Sequence, residues 1–317
     1  MGNYCNEIEK LRRKIYNELD GLISSRCALF DLPFHTNIGD GLIWHGEYFY
    51  LKDKGIDCIH NSSYFTCEFP ELEHDVTVLF HGGGNLGDIY HEHIDFLIKL
   101  VKKYPENRIL VFPQTVFYND RKKCDEDLKI ISSHKNIYIC ARDSRSHEVI
   151  KPYFKQRALL VPDMAFCIPL SETKVNMSDK RIAKELILLR KDGELSPETY
   201  KKIESCEGNI LDWPTFYHKI FDGTFVFKCI AKLAHNGVPC MKGILNRYCA
   251  KYFHKKLFNI GVSFLSPYST IYTTRLHGCI LGIMLGKEVH LIDNSYGKNS
   301  TFYETWLKDI DNVNLLK

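Results

Sequence analysis

The sequence predicts an α/β protein in which two parallel sheets are each covered by helices. Three observations carry that prediction. Short, continuous apolar runs alternate with amphipathic stretches through the first half of the chain, the pattern of strands buried on both faces. The 317 residues are enough for two domains of ordinary size. A polar stretch, Ser171–Arg181, separates the first series of runs from a second and reads as a linker between residues 1–175 and 176–317.

The elements follow in order. Cys27–Leu32 reads as a strand, followed by the polar loop Pro33–Asp40 and a helix over Gly41–Lys54 that Gly55 closes, with Asp40 as its candidate N-cap. Val76–Phe80 is a second strand, running into the glycine-rich loop Gly82-Gly83-Gly84-Asn85 and a helix over Ile94–Lys103. Arg108–Phe112, Ile137–Ala141 and Ala158–Val161 are three more strands, ending at Pro113-Gln114, Arg142 and Pro162-Asp163. The second series restarts at Glu185–Leu189, ending at Arg190, and continues with Gly208–Leu211, Ser269–Thr273 and Val289–Ile292. A helix starting near Leu276 lies between the last two. Ligands of such sheets bind at the carboxyl ends of strands, so these post-strand residues are the ones to search for function.

Composition narrows the class. With 44% hydrophobic and 26% charged residues, the chain is ordinary globular protein. No apolar run approaches a membrane span. Met1–Lys10 lacks the basic-then-apolar order of a secretory signal, and Asn6 stands where a myristoylation signal wants Ser or Thr. Twelve cysteines show no Cys-x-x-Cys pair and no zinc spacing, which reads as reduced, mostly buried thiols in a cytoplasmic protein.

The net charge of +3 is unevenly spread: residues 216–260 hold eight Lys/Arg, one acid (Asp222) and nine Phe/Tyr. Within them Leu245, Tyr248, Cys249, Tyr252 and Phe253 share one helical face, and Arg247, Lys251, His254 and Lys255 the other. Together with Lys256, the cations Arg247, Lys251 and Lys255 make a candidate membrane-facing patch. The competing reading is a core-facing helix with a solvated basic side. No nucleic-acid motif accompanies the charge.

Three patterns carry chemistry. In Tyr272-Thr273-Thr274-Arg275-Leu276-His277-Gly278 a strand ends, an arginine follows, and a histidine sits where a helix begins. Unpaired N–H groups and the helix dipole welcome an anion there, Arg275 offers a planar fork, and His277 can exchange a proton. A surface arginine beside a capping histidine would give the same spacing. In Ala141-Arg142-Asp143-Ser144, Arg142 stands at the edge of the other sheet, facing either a ligand or a solvated salt bridge to Asp143 or a later acid. The Gly82–Asn85 loop and Asn37-Ile38-Gly39-Asp40 allow close backbone approach to a ligand, or simply a tight turn. His91 and His93 flank Glu92 and read as surface residues. Asp125-Glu126-Asp127 and Asp309-Ile310-Asp311 read as solvated acids.

Taken with Phe112-Pro113-Gln114, Pro162-Asp163 and Tyr296-Gly297-Lys298, these motifs in this order resemble the polysaccharide pyruvyl transferases over most of the chain. The resemblance implies two Rossmann-like domains in a GT-B-like arrangement, with the active site in the cleft between them. It implies transfer of the pyruvyl group of phosphoenolpyruvate to two sugar hydroxyls, forming a ketal and releasing phosphate. By the same resemblance His277 is catalytic, and Arg142, Arg275 and the Leu276 backbone bind phosphoenolpyruvate. Asn37, Asp40, Gly83, Gly84, Asn85, Arg190 and Lys298 are expected as further donor or acceptor contacts. Lys287-Glu288-Val289 stands where the family commonly has a proline. The scheme needs no metal and no cofactor beyond the co-substrate. The expected acceptor is a polyprenyl-diphosphate-linked oligosaccharide at the inner face of the cell membrane, for capsule or exopolysaccharide. The rival readings are a nucleotide-sugar glycosyltransferase of the same architecture and a non-catalytic membrane-associated scaffold.

Overall fold

Two parallel sheets carry the chain. A computed structural model describes residues 3–173, 185–190, 208–216, 224–293 and 297–316. The first sheet holds β1 (Arg26–Phe30), β2 (Asp57–Asn61), β3 (Thr77–Phe80), β4 (Gly83–Gly87), β5 (Ile109–Phe117), β6 (Ile137–Ala141) and β7 (Ala158–Leu160). Its order is β2-β1-β3-β5-β6-β7, with β4 added along the far half of β5. The second holds β8 (Glu185–Leu188), β9 (Gly208–Leu211), β10 (Thr270–Thr273), β11 (Glu288–Ile292) and β12 (Val313–Leu316), in the order β12-β11-β10-β8-β9. Every pairing is parallel. The central strands β1, β3, β5, β6 and β10 supply fully buried Ile, Leu, Val and Phe, which is why they read as continuous apolar runs.

The described helices are α1 (Asn3–Glu18), α2 (Ile38–Asp53), α3 (His91–Lys103), α4 (Arg121–Ser132), α5 (Ser144–Phe154), α6 (Phe225–His235), α7 (Met241–Tyr248), α8 (His254–Leu265), α9 (Leu276–Met284) and α10 (Lys298–Phe302). Buried side chains of α1, α2, α8 and α9 belong to one apolar cluster that also includes residues of both sheets. Gly46 makes part of that packing: a Cβ there would lie 1.9 Å from the Met164 carbonyl oxygen, so only glycine lets α2 seat against the turn Met164–Cys167.

Several sequence expectations shift. The cap of α2 is Asn37, whose side chain accepts from the Gly39 N–H, so Asp40 falls in the first turn. The glycine-rich loop is not only a turn, because Gly83–Gly87 forms a strand on β5. β5 does not stop before Pro113. Its pairing with β6 shifts register between Val111 and Gln114, which accommodates a residue without an N–H. The helix α1 and the strands β2 and β12 were not anticipated. β2 is the sheet's edge strand and only partly buried, so its apolar pattern is weak. Of the expected linker, Ser171–Thr173 forms a turn, with Thr173 Oγ1 donating to the Met284 carbonyl at 3.3 Å. Residues 174–181 lie outside the described residues, as do 217–223 of the basic segment and Tyr296.

The basic segment is rearranged by a π-helical turn, Cys249–Phe253, between α7 and α8. The extra residue rotates the apolar stripe. Leu245, Cys249 and Phe253 face the core as expected, but the stripe then continues through His254, Leu257 and Phe258. His254 is buried rather than solvated, and Tyr252 is 51% exposed rather than core-facing. Arg247, Lys251 and Lys255 are exposed, and Lys256 is half-buried. Burying such apolar side chains is worth roughly 1.5–3 kcal/mol each, against the ~1 kcal/mol a surface cation gains near an anionic bilayer. The stripe therefore belongs to the core. Among the described residues no helix is long and apolar enough to cross a membrane.

Candidate active site

Residues that follow strands of both sheets line one pocket of about 450 Å3. From the first sheet come Asn37 after β1, Gly84 and Asn85 in β4, and Arg142 after β6. From the second come Arg190 after β8, Trp213 after β9, Arg275 and His277 after β10, and Lys298 after β11. This is the strand-end placement that parallel sheets favour for ligands.

Arg142 is 1% exposed and held at two points. Its Nε donates to Thr115 Oγ1 at 2.8 Å and its Nη1 to Asp163 Oδ2 at 2.9 Å. Asp143 is not its salt-bridge partner. That carboxylate instead caps α5, accepting from the Ser146 N–H at 2.8 Å. The Trp306 indole N–H donates to the Arg142 carbonyl at 2.7 Å, tying the residue to the C-terminal segment.

Asp163 follows β7 and is fully buried. The same Oδ2 that receives Arg142 also receives His277 Nε2 at 3.2 Å. Burial alone would raise this carboxyl's pKa, but the His277 imidazole, the Arg142 guanidinium and the Ala165 N–H together hold it well below the usual carboxylate range. An ionised Asp163 thus joins a guanidinium after β6 to an imidazole after β10.

The His277 ring has its Nδ1 on the side of Gly39. A Cβ at Gly39 would lie 2.8 Å from that nitrogen, so the glycine of Asn37-Ile38-Gly39-Asp40 makes room for the imidazole. With Nε2–H donating to Asp163, Nδ1 is the ring nitrogen that remains for other chemistry.

Arg275 stands at the N-cap of α9 and is 7% exposed. Asp212, just after β9, engages it at two points, Nε at 2.5 Å and Nη2 at 2.7 Å. Phe216 lies 5.0 Å from its guanidinium carbon in cation–π contact. Both arginines are therefore fixed by buried aspartates, and each contributes less net charge than its sequence motif suggests. What the pairing supplies is orientation.

The further expected contacts divide. Gly84 draws two cations to the backbone, since a Cβ there would lie 2.5 Å from Lys298 Nζ and 2.9 Å from Arg142 Nη2. Asn37, Asp40, Asn85, Arg190, Leu276 and Lys298 line the pocket. Gly83 does not; it is buried in the sheet opposite Gln114. Asp40 accepts from Asn37 Nδ2 at 2.7 Å. Burial pushes its pKa up, but His35, His277, His81 and Lys298 outweigh burial and lower it.

Sequence reading missed a second group of titratable residues. His93 is not a surface residue: its Nδ1 meets Asp31 Oδ2 at 2.7 Å, while His91 is exposed. His81 Nδ1 meets Glu47 Oε2 at 2.8 Å. Burial would lower the His81 pKa, but Glu47 and then Asp40 and Asp31 raise it, and burial raises that of Asp31 despite His93. Asp127 is also buried rather than solvated, accepting from Lys123 at 2.5 Å. Asp212 could have been found by asking for an acid directly after each strand, whereas Asp163, in the motif Pro162-Asp163, stands three residues after β7. Asp31, also directly after a strand, answers to the same test, but Glu47, mid-helix, has no local signal.

The sequence profile of the polysaccharide pyruvyl transferases matches residues 37–296, which include Asn37, Arg142, Arg190, Arg275 and His277 of the pocket. The chain belongs to the polysaccharide pyruvyl transferase family. EpsO of Bacillus subtilis, provisionally named a pyruvyl transferase, is 28% identical over 97% of this chain and 94% of its own. Pyruvyl transferase 1 of Schizosaccharomyces pombe is 25% identical over 89% of this chain and 70% of its own. General stress protein 30 of B. subtilis is 25% identical over 90% and 79%. The crystal structure of an uncharacterised Klebsiella pneumoniae protein superposes over the whole of both chains with a TM-score of 0.63 at 18% identity, a likeness of fold alone. As a pyruvyl transferase relative, the chain is a transferase.

Proposed function

We propose that the chain moves the pyruvyl group of phosphoenolpyruvate onto two hydroxyls of a sugar in a lipid-linked oligosaccharide, releasing phosphate. The observation that carries this reading is the shared oxygen Asp163 Oδ2, which joins Arg142 at 2.9 Å and His277 at 3.2 Å beneath a pocket that Arg275 also lines. A donor with a carboxylate and a phosphate suits two oriented guanidinium groups, Arg190, Lys298 and the start of α9.

In this reading the two sheets with their helices are two Rossmann-like domains, 1–175 and 176–317, in a GT-B-like arrangement with the pocket as their cleft. Arg142, Arg275 and the Leu276 backbone hold the donor and stabilise the departing phosphate. His277 transfers the proton, through Nδ1, while Asp163 fixes the ring's tautomer and orientation. Tyr64, Tyr90, Trp213 and Phe216 also line the pocket and give a sugar ring faces to pack on. The cations Arg247, Lys251 and Lys255 are exposed and Lys256 is half-buried, and α6 exposes the apolar side chains Phe225, Val226 and Leu233. Together they suit a peripheral position on an anionic membrane, where a lipid-linked acceptor would be met.

The test is incubation with phosphoenolpyruvate and a pool of lipid-linked glycans, following phosphate and the mass of one added ketal. Wild type is expected to produce both, and His277→Ala neither while its circular dichroism is unchanged. Near-normal phosphate release by that variant rejects the role of His277. Glycan-dependent release of a nucleoside diphosphate from a nucleotide sugar, without ketal, rejects the reaction.

A further inference from the structure

A groove of about 820 Å3, the volume of a ligand site, lies between the edge of the first sheet and the helices α6 and α7. Its sheet side is the end of β2, with Ile59, His60 and Asn61. Its helix side is the turn between α6 and α7 together with α7 itself. Because Asn61 ends β2, the groove lies toward the carboxyl edge of the sheet, as the main pocket does. Asn61 of the groove and Tyr64 of the pocket are separated by at most about 10 Å of extended chain.

The groove combines two kinds of surface. Ile59, Val238 and Pro239 give it apolar walls, with Ile59 and Val238 43% and 39% exposed. Lys242 and Arg247 bring two cations. In the main pocket Arg142 and Arg275 are each tied to an aspartate. Lys242 and Arg247 make no ion pair or hydrogen bond among the described residues, so their charge is available to a ligand. Glu68, exposed, is the one acid among the lining residues. The start of α7 adds to the positive side, since it has no side-chain cap and no acid in its first turn.

The lining also says what does not belong there. No Phe, Tyr or Trp lines the groove, so it offers no aromatic face to a base or a sugar ring. The main pocket has such faces in Tyr64, Tyr90, Trp213 and Phe216. An anion joined to an aliphatic chain satisfies both surfaces of the groove.

We infer that this groove holds the diphosphate and the first isoprene units of a polyprenyl-diphosphate-linked acceptor. Lys242 and Arg247 engage the diphosphate, and Ile59, Val238 and Pro239 pack on the prenyl chain. The sugars then extend from the groove past Asn61 toward Tyr64 and the main pocket. The inference rests on the pyruvyl-transfer reading for the sugar end of the ligand and on the groove for the lipid end.

The test is a calorimetric titration of the full chain with farnesyl diphosphate, compared with farnesol and with inorganic diphosphate. One variant combines Lys242→Gln with Arg247→Gln. The other is Gly243→Glu, whose Cβ meets nothing within 4 Å and which sets a carboxylate beside the cations. Wild type is expected to bind farnesyl diphosphate about ten-fold or more tightly than either fragment, and equally well with saturating phosphoenolpyruvate present. Each variant is expected to raise that Kd about ten-fold or more, with phosphoenolpyruvate binding held within about two-fold. Absence of wild-type binding, displacement by phosphoenolpyruvate, equal binding of a fragment, or an unchanged Kd in either variant overturns the groove and leaves the pyruvyl-transfer reading standing. Weaker sedimentation of the variants with phosphatidylglycerol vesicles at an unchanged Kd for farnesyl diphosphate assigns the cations to the membrane surface and also overturns it. Binding as expected without ketal formation on any lipid-linked glycan removes the pyruvyl-transfer reading and upholds the lipid diphosphate site.

Discussion

Two histidines join elements that lie far apart in the chain, and their settings are opposite. His277, at the start of α9, meets the carboxylate of Asp163 after β7. His254, at the start of α8, meets a second imidazole, His45 of α2, with 2.8 Å between their Nδ1 atoms. The first pairing offers the ring a negative partner on the edge of a pocket. The second is buried away from any acid, and one ring must donate while the other accepts. Burial, the His254 imidazole and Lys255 push His45 down to about 3, and burial and Lys255 bring His254 to about 4 despite a backbone hydrogen bond. In the proposed reading the same residue type transfers a proton in one place, and it is held neutral in the other. What differs is the partner, a buried carboxylate in one place and a second buried imidazole in the other.

The strongest way to break this contrast is to neutralise the carboxylate. Asp163→Asn should lower kcat by about 10²-fold or more, because His277 loses its orienting charge and Arg142 its anchor. Asp212→Asn, which touches Arg275 but no histidine, should instead raise KM for phosphoenolpyruvate about ten-fold with kcat changed only a few-fold. Equal kcat losses in the two variants would remove the special position of Asp163.

A smaller effect sharpens the same point. Gly39→Ala keeps an ordinary helical backbone but places a methyl 2.8 Å from His277 Nδ1. Pushing the ring aside should cost about ten-fold in kcat with an unchanged thermal midpoint. A normal kcat would mean that the ring has freedom the packing does not suggest.

The paired imidazoles should show in stability and not in turnover. Their folded pKa values lie below the unfolded value of about 6.5, so the unfolded chain binds more protons as pH falls. Stability is then full above the unfolded pKa and is lost between it and about 4 for His254 or about 3 for His45, by on the order of 1–2 kcal/mol per imidazole on going from pH 7 to about pH 5. His254→Asn should flatten that loss in urea titrations, with kcat at pH 7 within about two-fold of wild type. A pH profile of stability identical to wild type would show that the pair does not titrate on unfolding.

The smallest expected effect concerns the exposed end of α8 and the turn before it. Replacing Lys251, Lys255 and Lys256 by Gln should weaken sedimentation with anionic liposomes, each charge adding about 1 kcal/mol at low salt. Equal sedimentation of variant and wild type would assign the cations to solvation alone.

Much of the candidate site was legible because its residues sit at a local landmark. Arg142 and Arg190 each follow an apolar run directly and Arg275 follows the strand Thr270–Thr273 after one residue, and a strand that ends marks the carboxyl edge of a sheet whatever lies elsewhere in the chain. The apolar stripe of the basic segment was legible only as far as Phe253. There a π-helical turn, which leaves no mark in hydrophobic periodicity, changed the phase and turned His254 inward. The edge strand β2 escaped for a related reason: half-exposed, it lacks the continuous apolar run of the inner strands.

The alternation of runs and helices, the strand-end arginines and the histidine at a helix start were determined by the sequence alone, since each depends on neighbours within one turn or one strand. Only the tertiary structure decided which acids Arg142 and Arg275 meet, that Asp163 is shared with His277 across 114 positions, and that Asp31 meets His93 and Glu47 meets His81. Those pairings depend on strand order and on which helices pack together, and such long-range contacts carry no periodic signature along the chain.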